Sequence, residues 1–203
     1  MSKKVIAIVG TYRKGKVIDS LVSEMLRGAE EKGCTTEKIY LVDKHIEFCT
    51  NCRACTQEKN VPARQQCVHN DDMEEILEKI DGADCVIMAS PMNFYGVTAV
   101  MKKFIERLIV YANWPWDMGA PKYRVKKCTK QAVLVTASAC PAIIGKLVFM
   151  YRPVYSVMKA AARCFGAKVV KKMTAGLVGM KPEGRITKAS LERAYNIGAG
   201  LAL

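Results

Sequence analysis

Residues 5 to 22 leave this chain little choice of fold. Val5 to Val9 (VIAIV) is an unbroken apolar run, the pattern of a strand buried on both faces. From Val17 the apolar positions switch to helical spacing. Val17, Ile18, Leu21, Val22, Met25, Leu26 and Ala29 form one stripe of an amphipathic helix ending at Gly33. Between the two lies a basic turn holding Thr11, Arg13, Lys14, Gly15 and Lys16. A helix N-terminus presents unpaired N–H groups and a partial positive charge, so such a turn suits a phosphate. Its spacing is neither G-x-G-x-x-G nor G-x-x-x-x-G-K-[ST], and an ordinary connection with solvated lysines would show the same residues.

The alternation repeats downstream. Thr36 to Val42 (TEKIYLV) reads as a second strand at a sheet edge. Asp71-Asp72-Met73-Glu74 has the form of a capping box before a short helix with Met73, Ile76, Leu77 and Ile80 inward. Asp84 to Ser90 is a third strand, followed by the turn PMNFYG and a helix from Val97 to Tyr111. On that helix Val97, Val100, Met101, Phe104 and Leu108 face inward, with Lys102, Lys103, Glu106 and Arg107 outward. Asn113 to Lys130 is a long connection carrying both tryptophans, Trp114 and Trp116, of a size that is usually functional. They are read as a lid on the site or a contact with another subunit. Gln131 to Ser138 is a fourth strand, and CPAIIG then leads into a long helical region, kinked at Pro153, that ends at Phe165-Gly166. Lys168 to Val178 contains a fifth strand, and Thr187 to Leu203 forms the last helix.

Five β-then-α units predict an α/β fold: a doubly wound, five-stranded parallel sheet in three layers, flavodoxin-like in its order 2-1-3-4-5. One such domain would span residues 1–203, with a cysteine-rich insertion from about 45 to 70. The ligand crevice of that order lies at the carboxyl ends of strands one and three. There TYRKGK, PMNFYG and TASACP would meet.

The 203 residues carry nine cysteines and a net charge of +13. A strand begins too near the N-terminus to leave room for a secretory signal. The apolar stretch Ile143 to Met158 is broken by Lys146, Arg152 and Pro153 and makes a poor membrane span. These features predict a cytoplasmic protein without a membrane partner, its thiols serving metal or redox chemistry rather than disulfides. The charge favours acidic partners. With no recognition motif, nucleic acid is not expected; anionic cofactors and acidic electron carriers explain the charge.

With these motifs in hand, the chain resembles the flavodoxin-like NAD(P)H-dependent FMN reductases, and especially their iron–sulfur flavoprotein branch, over nearly its whole length. The family's phosphate loop has the form S-x-R-x-x-G-N-T. Thr11 and Arg13 match it, Val17 and Ile18 replace the Asn-Thr pair, and Lys14 or Lys16 supplies charge. The second loop, S-P-x-Y-F-G ahead of K-x-F-I-[DE]-R, is kept at Ser90, Pro91, Phe94, Lys102, Phe104, Ile105 and Arg107, with Asn93 where Tyr is usual. The third, glycine-rich in many relatives, is Thr136-Ala137-Ser138-Ala139-Cys140-Pro141.

The resemblance implies FMN bound by Thr11, Arg13, Lys14, Lys16, Val17 and Ile18, by Pro91, Met92, Asn93, Phe94 and Tyr95, and by Thr136, Ala137, Ser138 and Ala139. Backbone N–H groups from Asn93 to Gly96 would meet the flavin ring, and no side chain need act as acid or base. Electrons would pass from NAD(P)H through FMN to a quinone, a flavin or a ferredoxin-like protein, in a homodimer or homotetramer. The competing readings are an FMN electron carrier without NAD(P)H activity and a flavin-free binding or regulatory module. Lys122, Arg124, Lys126 and Lys127 would steer an acidic carrier or a nucleotide phosphate.

Cys49, Cys52, Cys55 and Cys67 form C-x2-C-x2-C-x11-C. Four thiolates suit a [4Fe–4S] cluster or structural zinc, and a relative that kept the thiols but lost the cluster would show the same spacing. Three cysteines at intervals of three suit a turn around a cubane, whereas zinc more often takes two separated pairs. The resembling flavoproteins carry a compact cysteine motif in this segment with a shorter last spacer than EKNVPARQQ allows here. His45 and His69 flank the segment; either could replace a missing ligand, although loop histidines are more often simply solvated. Cys85 and Cys164 read as buried small hydrophobes, and Cys140 sits in the flavin-side loop.

Overall fold

A computed structural model describes residues 2–61, 63–179 and 186–202. Pro62, in the spacer before the fourth cysteine, and Leu203, taken above as the end of the last helix, lie outside the described residues. The elements run β1 (Lys4–Val9), α1 (Val17–Glu30), β2 (Thr35–Tyr40), α2 (Met73–Asp81), β3 (Cys85–Pro91) and α3 (Ala99–Arg107). They continue with β4 (Lys130–Ala137), α4 (Ala142–Leu147), α5 (Arg152–Cys164), β5 (Ala167–Ala175) and α6 (Lys188–Ala199). The five strands form one parallel sheet in the order β2-β1-β3-β4-β5, the flavodoxin-like order expected. A two-residue ladder, Ala112–Asn113 with Lys122–Tyr123, stands apart from it.

The continuous apolar runs are continuous because both sheet faces are covered. Val5, Ala7 and Val9 pack under α1 and α6, while Ile6 and Ile8 pack under α2 and α3 on the opposite face. The valine and isoleucine side chains buried in this way contribute about 1.5–3 kcal/mol each. Helices α1 and α6 touch backbone to backbone: a Cβ at Gly198 would stand 1.8 Å from the Met25 carbonyl oxygen, so only glycine fits there. Among the described residues no helix is long and apolar enough to cross a membrane.

Several boundaries and faces differ from the sequence pattern. Strand β2 is an edge strand as expected, but it stops at Tyr40, and Leu41–Asp43 turns as a 3-10 helix. The capping box before α2 does not form: no side chain caps that helix, and the Asp71 carboxylate accepts the Met73 N–H at 3.0 Å. Helix α3 tightens into a 3-10 turn over Leu108–Tyr111. Arg107, expected outward, is 1% exposed and lies inside the protein. The long helical region is two helices, with Pro153 in the first turn of α5, where a missing N–H is harmless. Strand β5 ends at Ala175 and α6 at Ala199, earlier than the pattern suggested.

Candidate functional site

The carboxyl ends of β1, β3 and β4 open on one cleft of about 220 Å³. Its walls are Thr11, Tyr12, Arg13, Lys16, Val17 and Ile18 after β1, Pro91, Met92 and Asn93 after β3, and Ala137, Ser138, Ala139 and Val178. Eleven of the fifteen residues assigned to the flavin from sequence are therefore brought together. Tyr12 and Val178 were missed. The first is an aromatic in an otherwise polar turn, and the second reaches the cleft only because its N–H bonds the Ser138 carbonyl at 3.2 Å.

Each loop is tied down by bonds the sequence half discloses. The Gly15 N–H donates to the Asp19 carboxylate at 2.6 Å, at a left-handed φ of 70° that suits glycine. Asp19 is buried, which by itself raises its carboxyl. Lys38, the Gly15 N–H and the Tyr40 hydroxyl overcome that and hold it below the usual carboxylate range. Thr98 caps α3 by accepting the Met101 N–H and donates to the Gly10 carbonyl at 2.6 Å, locking the first loop against the second. No side chain caps α1. The N–H groups of its first turn, at Val17 and Ile18 in the cleft wall, are what an anion would meet.

Four assigned residues fall outside this wall. Lys14 turns away to Asp43, 2.6 Å from its carboxylate, and over the Tyr40 ring. Thr136 points into the sheet layer, its hydroxyl buried and without a partner. Phe94 and Tyr95 form the tip of the second loop, both exposed and both at positive φ, 45° and 61°. Asn93 and Gly96 exchange their N–H···O bonds at 2.9 Å across this turn. Their N–H groups are spent, so only those of Phe94 and Tyr95 remain for a ligand. Left-handed backbone at two non-glycine residues is strain of the kind found at working sites.

A second cavity, about 540 Å³, is lined by Cys49, Cys52, Cys55 and Cys67. Burial pushes the Cys55 thiol up to about 11, with the sulfurs of Cys67, Cys49 and Cys52 adding to the shift, so the four are close enough to sense one another. Among the described residues no three His, Cys, Asp or Glu side chains converge on a single metal position. The cavity wall also contains three buried polar atoms without partners: Arg53 Nε, Arg107 Nε and His69 Nε2. The Arg53 and Arg107 N–H donors beside four thiols suit an anionic, sulfur-rich group that accepts hydrogen bonds. His45 is remote from this, exposed and paired with Glu47 at 2.9 Å. Cys85 is buried as expected, whereas Cys164 joins the cavity wall.

Two arginines hold the cysteine segment. Arg107 binds both oxygens of Asp71, at 2.6 and 3.2 Å, and donates to the Glu47 carbonyl at 2.8 Å. Arg124, expected to steer partners, is buried and donates to the Ala112 and Glu58 carbonyls and to the Gln65 side chain. Arg53, between the second and third cysteines, has φ 58° and slots between Trp114 and Trp116, 3.9 and 4.3 Å from their centroids. It also donates to the Trp114 and Pro115 carbonyls at 2.6 and 2.8 Å. The tryptophans therefore clamp a residue of their own chain.

An Arg53→Leu protein should show red-shifted, more quencher-accessible emission from these two tryptophans, and lose about 1–2 kcal/mol of stability. Unaltered emission and quenching would mean that the stack is not formed in solution.

Residues 3–170 match the family model described as NADPH-dependent FMN reductase. An iron–sulfur flavoprotein of Archaeoglobus fulgidus is 35% identical over 116 residues, 57% of this chain and 50% of the relative. One from Methanocaldococcus jannaschii is 38% identical over 104 residues, 51% of each chain. The chain thus spans about half the length of the curated relatives it matches. In structure it superposes on an NAD(P)H:quinone oxidoreductase from Methanothermobacter marburgensis with a TM-score of 0.73, 20% identity and coverage of 99% and 100% of the two chains. The azoreductase AzrA gives 0.70 at 15% identity over 97% and 99%. At these identities the structural likeness speaks for the fold.

Proposed function

The chain belongs to the NADPH-dependent FMN reductase family, and from that premise we propose that it is an NAD(P)H-dependent oxidoreductase holding FMN in the cleft above β1, β3 and β4. The observation that carries this is the convergence of three separate loops on one cleft at the sheet's switch point. Arg13, Lys16 and the first-turn N–H groups of α1 hold the phosphate. At about 220 Å³ the cleft is smaller than the roughly 300–1,000 Å³ of pockets that enclose a whole ligand. It takes the phosphate and its chain and leaves the ring on the rim. There the small residues Ala137 to Ala139 allow close approach, and the Phe94 and Tyr95 N–H groups supply donors to the ring edge. FMN, when bound, supplies the hydride and electron chemistry.

The cysteine cavity is read as the seat of a [4Fe–4S] cluster held by Cys49, Cys52, Cys55 and Cys67. Arg53 and Arg107 would donate to its sulfurs, and resemblance to iron–sulfur flavoproteins supports the reading. The acceptor is a quinone, a flavin or a ferredoxin-like protein, and a neighbouring subunit covers the exposed ring in a homo-oligomer. We place all of this in one domain with a cysteine-rich insertion. Nine cysteines, none of them disulfide-bonded, fit the cytoplasm.

Anaerobically purified protein should show the two visible flavin bands, a broad shoulder bleached by dithionite, iron rather than zinc, and NADPH oxidation with a quinone. Failure to take up FMN would end the oxidoreductase reading. Bound FMN without nicotinamide oxidation would leave the electron carrier.

A further inference from the structure

Beside the cleft, between the α4–α5 corner and the outer edge of β5, runs a groove of about 760 Å³. Lys146, Arg152, Lys159 and Lys172 line it, and none of them is in an ion pair among the described residues. Some cations find carboxylates, as Arg27 does with Glu24 and Glu31, or Lys79 with Glu37 and Glu75; with a net charge of +13 many do not, and what sets these four apart is that they share one concavity. Four cations around one concavity repel one another unless an anion joins them. Two are already positioned: Arg152 lies 5.1 Å from the Phe149 ring centroid and Lys172 5.3 Å from that of Tyr155. This stacking lowers the entropy lost when a ligand binds.

Phe149 adds an aromatic face, and its backbone explains how it gets there. The Met150 N–H returns to the Gly145 carbonyl and the Phe149 N–H to that of Lys146, the Schellman closure of a helix. Its left-handed position normally belongs to glycine, yet here φ is 55° on an exposed phenylalanine. A large side chain at a strained, solvent-facing site gains nothing from burial.

The groove also adjoins the flavin cleft. Tyr151 lines the groove, Ser138 lines the cleft, and their hydroxyls lie 2.8 Å apart. Both residues are buried, so the pair sits in the wall that the two concavities share, and a ligand long enough to cross the rim of that wall would have one end at each site.

We propose that this groove binds the adenosine-phosphate end of NADPH, its cations on the phosphates and the Phe149 face on the base. The inference rests on the nicotinamide-dependent reading above and names the part of the molecule that recognises the 2′-phosphate. Adenosine 2′,5′-bisphosphate, titrated calorimetrically into the full-length protein, should bind, and more weakly as salt rises. Two exposed charge contacts are together worth about tenfold, so an Arg152→Ala/Lys172→Ala protein should bind it about tenfold more weakly. The same protein should show a larger rise in KM for NADPH than for NADH.

Phe149→Gly supplies the residue that the turn prefers, so it should melt no lower than the parent and yet bind the bisphosphate more weakly. Absence of binding to the parent protein, or undiminished binding to the double variant, would overturn the proposal. Bisphosphate binding without NADPH oxidation would keep the groove and remove the reductase reading. NADPH oxidation with a KM indifferent to both substitutions would do the reverse.

Discussion

An Arg107→Ala protein is expected to lose about 3–5 kcal/mol of stability, the cost of leaving one member of a buried ion pair uncompensated. Arg107 and Asp71 have side chains only 1% exposed, so water cannot replace the missing partner. The loss should show as a lower denaturant midpoint, measured with metal chelated so that folding and cluster assembly are not confused. Replacing both members by apolar residues (Arg107→Met with Asp71→Leu) should recover much of it, because no charge is then stranded. A drop below about 1 kcal/mol for the single variant, the size of an exposed pair, would contradict the buried geometry.

The pH dependence follows from the same pair. Burial raises the Asp71 carboxyl, but Arg107 and the Glu47 and Met73 N–H groups together bring it below its ordinary value. A depressed folded-state pKa contributes stability that is complete above the unfolded value, about 3.9, and disappears as pH falls through the folded one. The parent should therefore lose stability more steeply below about pH 4 than the Arg107→Ala protein does.

Ala139→Trp is expected to abolish flavin binding, weakening it by more than about a hundredfold, or about 2.7 kcal/mol. Ala139 is an exposed residue on the wall of a cleft of only about 220 Å³. An indole there competes with the phosphate chain for space while removing no core contact. Flavin fluorescence titration should show the loss and a thermal melt should shift little, since surface changes away from special features stay within about 0.5 kcal/mol. Stoichiometric, tight flavin in this variant would place the cofactor elsewhere. A collapse of the melt would show instead that Ala139 packs structurally.

Much of the site was legible because strand and helix patterns carry their own loops with them. Runs such as VIAIV and CVIMAS can satisfy their burial only inside a covered parallel sheet. Once that order is set, the turns after β1, β3 and β4 must emerge at one end. That order gave the end of the sheet, and the loop motifs shared with the FMN reductases supplied the eleven cleft residues. The misplacements share one origin. Arg107 looked external because its helix is polar on that side; what covers the side is the cysteine segment, whose Glu47 carbonyl and Asp71 carboxylate come from about 36–60 residues away in sequence. Arg124 looked like a steering charge until the carbonyls of Ala112 and Glu58 were found around it.

Sequence by itself determined the strands, since burial periodicity is local and each strand reports its own, and the number of strands with right-handed crossovers then favoured the order that the sheet has. Only the tertiary structure decided which cations are spent and which are free. Lys14, Arg53, Arg107 and Arg124 are engaged by distant carboxylates and carbonyls, whereas the cations around the β5 groove are in no ion pair among the described residues, Arg152 and Lys172 meeting only aromatic rings. The physical reason is that a charge's fate depends on what lies within a few ångströms of it in space, and a one-dimensional pattern does not contain that distance.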